Sequence, residues 1–206
     1  MVPQNVTPPR FIVLDGVDGC GKSTQAELLV RALHESGRAE PLHLREPGTT
    51  RAGERIRELL LDQDVPLATE SEVLLFAAAR RQALNELVRP ALEEGRDVVC
   101  ERFHGSTFAY QAHAGGLDEA LVLDLLERWC GDPRPDRTLL LDVAPRRALE
   151  RRGGGDDRFE SRGLEFQERV AEGYRRYAGL VSDVRVIDGD RDPESVAAEI
   201  WNEVMT

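Results

Sequence analysis

Short runs of consecutive apolar residues alternate along the chain with stretches in which apolar positions recur at helical spacing. Residues 11–15 (FIVLD), 97–101 (DVVCE) and 138–143 (TLLLDV) are continuous apolar runs, the pattern of strands buried on both faces. Residues 42–45 and 184–188 read as two further strands. Between these runs the pattern predicts helices. From 22 to 36, Leu28, Leu29, Ala32 and Leu33 share one face, and Gly37 stops the helix. Another is predicted near 53–61, after the break at Glu46, Pro47 and Gly48. Thr69 and Glu72 have the spacing of a capping box, which opens a long helix to about 94. Helices follow at 117–130, 146–152 and about 164–181, and Asp192 with Pro193 starts the last one. Five strands alternating with helices predict one α/β domain with a five-stranded parallel sheet and helices on both faces. Residues 1–10 read as a flexible N-terminal tail and 11–206 as the domain.

A single domain of 206 residues buries roughly 70% of its unfolded surface and needs no disulfide or metal to fold. The three cysteines, Cys20, Cys100 and Cys130, are an odd number at wide spacing, which predicts a reducing, cytoplasmic setting. No apolar run approaches the ~18 to 20 residues of a membrane span, and the N-terminus lacks the apolar segment of a signal peptide. No membrane partner is expected. With 27 basic and 38 acidic side chains the formal charge is −11, which argues against a broad nucleic-acid footprint. Any anionic small molecule has to be caught by local cations. Lys22 is the only lysine in the chain, so every other basic side chain is arginine.

That lysine falls in Gly16-Val17-Asp18-Gly19-Cys20-Gly21-Lys22-Ser23, which fits G-x-x-x-x-G-K-[ST] between a predicted strand and a predicted helix. Glycines at 16, 19 and 21 let backbone N–H groups turn toward a phosphate, and the helix N-terminus adds partial positive charge. Lys22 is positioned to neutralise β and γ phosphates, and Ser23 to hold Mg²⁺. Thr24 completes the candidate ATP-binding segment, and Cys20 reads as a small loop residue. A nucleoside triphosphate with Mg²⁺ is the implied ligand. An enzyme transferring the γ-phosphoryl group and a nucleotide-controlled switch both remain open. A guanine switch needs an N-K-x-D motif, which a chain with no second lysine cannot contain.

Transfer to a phosphate acceptor needs no base to remove a proton, because the nucleophile is already an anion. It needs charge neutralisation and in-line positioning, which predicts arginines rather than a catalytic histidine. Arg146, Arg147, Arg151, Arg152 and Arg158 flank Gly153-Gly154-Gly155, a candidate lid over about 146–160. Arg45, Arg80 and the pair Glu101-Arg102 lie where pocket residues of a doubly wound sheet are found. Phe76 and Arg80 are four apart and share a helix face, as a platform beside a hydrogen-bond fork, or simply as core and surface. His34, His43, His104 and His113 read as surface or packing.

Taken in order, GVDGCGKST (16–24), REPG (45–48), LLFAAAR (74–80), ERFHGSTFAYQ (101–111), LLLDV (139–143) and DRFE (157–160) resemble the motifs of the thymidylate kinase family. They span nearly the whole domain. The resemblance implies a P-loop NTPase fold, ATP and Mg²⁺, and phosphorylation of dTMP to dTDP. It implies that Phe76 stacks on thymine, that Arg80 bonds its O4 edge and that Thr107 lies near N3. Tyr110 would pack where a ribose 2′-hydroxyl would sit, Asp18 would approach the 3′-hydroxyl, and Gln111 joins the substrate set. Arg102 would hold the acceptor phosphate, with Arg45 as a second candidate. Lys22, Arg102, Arg152 and Arg158 are the implied catalytic residues. With no arginine in its phosphate loop, the sequence resembles the bacterial-type branch, whose catalytic arginine comes from the lid.

Two positions depart from the family pattern. The usual D-R pair is Glu101-Arg102, which bears on any water-mediated Mg²⁺ contact at Glu101, and the usual REPGGT has Thr49 for its second glycine. A homodimer is implied as well, with helices near 70–94 and 117–130 as its interface. Kinases for another nucleoside monophosphate or for a deoxynucleoside stay open as alternatives, Glu101 being the candidate base for the latter.

Overall fold

The strand most apolar in sequence is the centre of the sheet. β1 (Phe11–Asp15) is buried along its whole length, with β3 (Val98–Glu101) on one side and β4 (Arg137–Asp142) on the other. β2 (Leu42–Arg45) and β5 (Val184–Asp188) form the edges, giving the order β2-β3-β1-β4-β5 with every pair parallel. A computed structural model of the chain describes residues 8–152 and 162–206. The tail expected over 1–10 falls mostly outside that range. Arg10 itself is tied down, its N–H donating to Asp97 Oδ1 at 2.8 Å and its carbonyl accepting from Val98.

Side chains alternate across the sheet, so two cores form. Ile12, Leu14, Val99 and Leu139 pack with α1 (Lys22–Glu35), α6 (Glu119–Cys130), α8 (Gly163–Leu180) and α9 (Pro193–Met205). Phe11, Val13, Leu44 and Cys100 pack on the other face, under α3 (Thr69–Ala83) and α4 (Arg89–Glu93). α2 (Arg51–Leu61) packs on α3, and α7 (Pro145–Arg152) on α8. Thr50, Asp118 and Asp192 cap α2, α6 and α9 by accepting from Gly53, Leu121 and Ser195 N–H groups, each worth about 1 kcal/mol.

Three local expectations are corrected. The capping box at Thr69 does not form, because Ala68 is the cap and the Glu72 carboxylate is buried and held elsewhere. The long helix is continuous but not uniform. A π-helical segment, Leu84–Val88, lies between α3 and α4 and ends just before Pro90, whose missing N–H interrupts α-helical bonding. A helix that periodicity does not reveal runs from α5 (His104–Thr107) into a second π-helical segment, Phe108–His113. It packs closely on α8. A Cβ at Gly173 would lie 2.9 Å from Ala109 Cα.

Candidate active site

The loop after β1 curls over its own lysine. Gly16, Gly19 and Gly21 adopt φ of 138°, 82° and 100°. At Gly16 a Cβ would come within 2.7 Å of the Leu141 carbonyl oxygen, so no side chain fits there. Lys22 is buried, and its ammonium donates to the Gly16 and Val17 carbonyls, each at 2.8 Å. The Cys20 sulfur is 3.6 Å from the same nitrogen. Residues 18–25 line one side of a cavity whose far wall holds Arg151, Gly189, Arg191 and Pro193. Arg151 bridges this wall, donating to the Gly189 carbonyl at 3.0 Å and to Asp190 at 3.2 Å. Arg147 also lies against Asp190. Of the expected lid arginines, Arg158 lies outside the described residues, and Arg152 is placed only as the last residue of α7.

Ser23 and Glu101 meet at the ends of α1 and β3. The Ser23 hydroxyl donates to Glu101 Oε2 at 2.6 Å, and His43 Nε2 lies 3.0 Å from Oε1. Burial pushes the Glu101 carboxyl up, but the bonds from His43 and Ser23 outweigh it, and the group is held below the usual range. Hydroxyl and carboxylate oxygens are the hard donors Mg²⁺ prefers, and they sit beside the phosphate loop. Among the described residues no cluster of three or more His, Cys, Asp or Glu side chains forms a metal cage. That donor set suits an ion bound largely through phosphates and water.

A second cavity lies at the carboxyl ends of β1, β2 and β3. Arg80 is fully buried, so the surface-cation alternative is excluded. Its guanidinium donates to Glu46 Oε2 at 2.5 Å, to Thr107 Oγ1 at 3.2 Å and to the Phe103 carbonyl at 3.0 Å. Burial works against charge on Arg80, and Glu46 overcomes it, so the guanidinium stays charged. Phe76, half-buried on the same face of α3, lines the cavity with Thr107, Tyr110 and Gln111. The Gln111 amide donates to Glu72 Oε2 at 3.0 Å, and Arg162 approaches the other Glu72 oxygen at 3.2 Å.

Asp18, Arg45 and Arg102 line both cavities. Asp18 pairs with Arg102 and accepts from the Tyr110 hydroxyl at 2.8 Å. Arg102 takes φ of 69°, a left-handed conformation unusual for a non-glycine residue. Its guanidinium lies over the Tyr110 ring and reaches Ser106 Oγ at 3.2 Å. Beneath it, buried Asp15 accepts from the Ser106 and Tyr174 hydroxyls at 2.6 and 2.9 Å. Thr49 also has a left-handed φ, 68°, which its hydroxyl steadies by donating to the Arg45 carbonyl.

Sequence reading placed the phosphate loop, Arg45, Phe76, Arg80, Arg102, Thr107, Tyr110 and Gln111 around one place, and the fold brings them together. It missed Asp15, Glu46, Glu72, Ser106 and Tyr174, and it gave His43 no role. Asp15 carried a signal, as an acid ending a fully apolar strand.

Comparison with known proteins decides the family. The sequence model described as thymidylate kinase matches residues 14–200. The thymidylate kinase of Jannaschia sp. (strain CCS1) is 44% identical over 198 residues, 94% of each chain. That of Symbiobacterium thermophilum is 43% identical over 193 residues, covering 92% of this chain and 90% of its own. That of Synechococcus sp. (strain CC9605) is 46% identical over 177 residues, or 82% and 84%. The chain belongs to the thymidylate kinase family. It is therefore a kinase with a P-loop NTPase fold. Within this thymidylate kinase sheet, Glu101 ends β3 opposite Arg45 and lines the phosphate-loop cavity.

Proposed function

We propose that this thymidylate kinase family member transfers the γ-phosphoryl group of Mg-ATP to the phosphate of dTMP, giving dTDP for dTTP synthesis in the cytoplasm. One observation carries the reading: the phosphate-loop cavity and the cavity of Phe76 and Arg80 share Asp18, Arg45 and Arg102. A donor in the first and an acceptor in the second would meet at two guanidinium groups, the charge-neutralising element that phosphate-to-phosphate transfer needs.

The roles combine what the family resemblance implies with the two cavities. The loop N–H groups and Lys22 bind the donor phosphates, and Ser23 with Glu101 would hold Mg²⁺, which supplies charge neutralisation. Arg102 binds the acceptor phosphate, held in direction by Asp18, and Arg45 assists. The Arg80 fork, fixed by Glu46, reads an acceptor edge of the base, Phe76 gives the stacking face, and Thr107 and Gln111 close the pocket. Tyr110 lies beside the sugar and favours a deoxyribose, and Arg152 and Arg158 are assigned to the transferring phosphate on the family resemblance alone. No step calls for a base. Glu101 lies on the donor side, bonded to Ser23 and His43, which disfavours hydroxyl phosphorylation of a deoxynucleoside.

A homodimer is part of the proposal. Leu74 on α3 and Leu121 and Trp129 on α6 are 58%, 66% and 65% exposed, an apolar surface on two helices that pack together.

ADP formation from Mg-ATP with dTMP, dUMP, UMP, CMP, AMP and GMP as separate acceptors tests the assignment. Strong preference for dTMP is expected. Preference for another monophosphate overturns the base assignment, and indifference to every acceptor overturns phosphoryl transfer.

A further inference from the structure

His43 is the second residue of an edge strand, and its pattern alone marks it as a surface position. β2 pairs with β3 so that His43 lies opposite Val99 and Arg45 opposite Glu101. His43 is therefore the diagonal neighbour of Glu101 on one face of the sheet, within reach of a long side chain. That is the face on which α1 lies, with Ser23 in its first turn. The Glu101 carboxylate spans the two, with one oxygen for each partner.

Donor and acceptor roles then follow. A carboxylate that takes one partner on each oxygen acts as the acceptor in both bonds. Both partners must donate, so His43 carries its proton on Nε2 and Ser23 points its O–H at Glu101. Donating to Glu101 leaves the Ser23 oxygen its lone pairs for a cation, and Ser23 lines the phosphate-loop cavity. A glutamate has one more rotatable bond than the aspartate usual at this position, and the His43 contact removes that freedom. We infer that His43 is a positioning residue for the divalent cation, fixing the long Glu101 side chain against Ser23 so that both oxygens are set before the metal arrives. This rests on the metal role of Ser23 and Glu101 proposed above.

His43→Leu and His43→Gln test it, the glutamine keeping an N–H donor of similar reach. The readout is Mn²⁺ binding to the complex of full-length protein with ADP, followed by the EPR signal of free Mn²⁺, beside ADP binding in EDTA. His43→Leu is expected to weaken Mn²⁺ binding on the order of tenfold, with His43→Gln recovering most of it and metal-free ADP affinity unchanged in both. Unchanged Mn²⁺ affinity in His43→Leu overturns the inference. So does an equal loss of metal-free ADP binding, which marks a merely structural role. If wild-type protein with ADP binds Mn²⁺ no better than ADP alone, the metal role of Ser23 and Glu101 falls with it. The choice of acceptor is tested by the monophosphate panel and is untouched by any of these results.

Discussion

The guanidinium of Arg80 and the carboxylate of Glu46 form an ion pair at 2.5 Å with both side chains almost wholly out of solvent. Such a pair contributes little net stability over an apolar pair, but removing one member leaves the other charged and buried. Arg80→Met is therefore expected to cost about 3 to 5 kcal/mol in urea unfolding. The double variant Arg80→Met with Glu46→Leu recovers a large part of that loss. Equal losses in the single and double variants would show that the two side chains act independently.

Lys22 holds two carbonyls of its own loop at 2.8 Å, so its ammonium already lies among the groups that would surround a phosphate. Lys22→Ala is expected to lower turnover with dTMP on the order of a thousandfold, while circular dichroism shows the fold retained. Near-normal turnover would remove the phosphate loop from the mechanism.

Gly173 faces the helix that sequence periodicity did not reveal, and a Cβ there would lie 2.9 Å from both Ala109 Cα and His113 Cβ. Gly173→Ala pushes α8 off that helix and is expected to destabilise the protein by about 1 to 3 kcal/mol. Because Tyr110 and Gln111 lie on the displaced helix, KM for dTMP should rise as well. A thermal melt and a dTMP titration of the variant check both effects.

What the sequence made legible depended on how local each cause is. The strands follow from runs such as FIVLD, and the phosphate loop from glycines and a lysine within eight positions. The helix at 104–113 stayed hidden because it is buried along nearly its whole π-helical half, so it has no polar face to mark a period. Thr69 and Glu72 matched a capping box only in spacing. Tertiary partners, Gln111 and Arg162, claim the carboxylate instead. The pairing of Arg80 with Glu46 joins positions 34 apart, and that of Ser23 with Glu101 positions 78 apart, so neither had a local signal. Residue types could be read, but their partners required the fold.

Glu101 gives the pH dependence. Its folded-state pKa lies below the unfolded value near 4.5, so the ionised form is favoured by folding. The stabilisation is fully present above about pH 5.5 and is lost as pH falls through the folded-state value, because in that window the unfolded chain takes up a proton that the native one does not. Glu101→Gln replaces the carboxylate with an amide that cannot ionise. The stability difference between wild type and variant, about 1 to 3 kcal/mol at pH 7, is expected to shrink steadily below the ordinary carboxylate range. Urea unfolding of both proteins between pH 7 and pH 3 measures it. A difference that stays constant with pH would mean that Glu101 acts in folding through its shape and not through its charge.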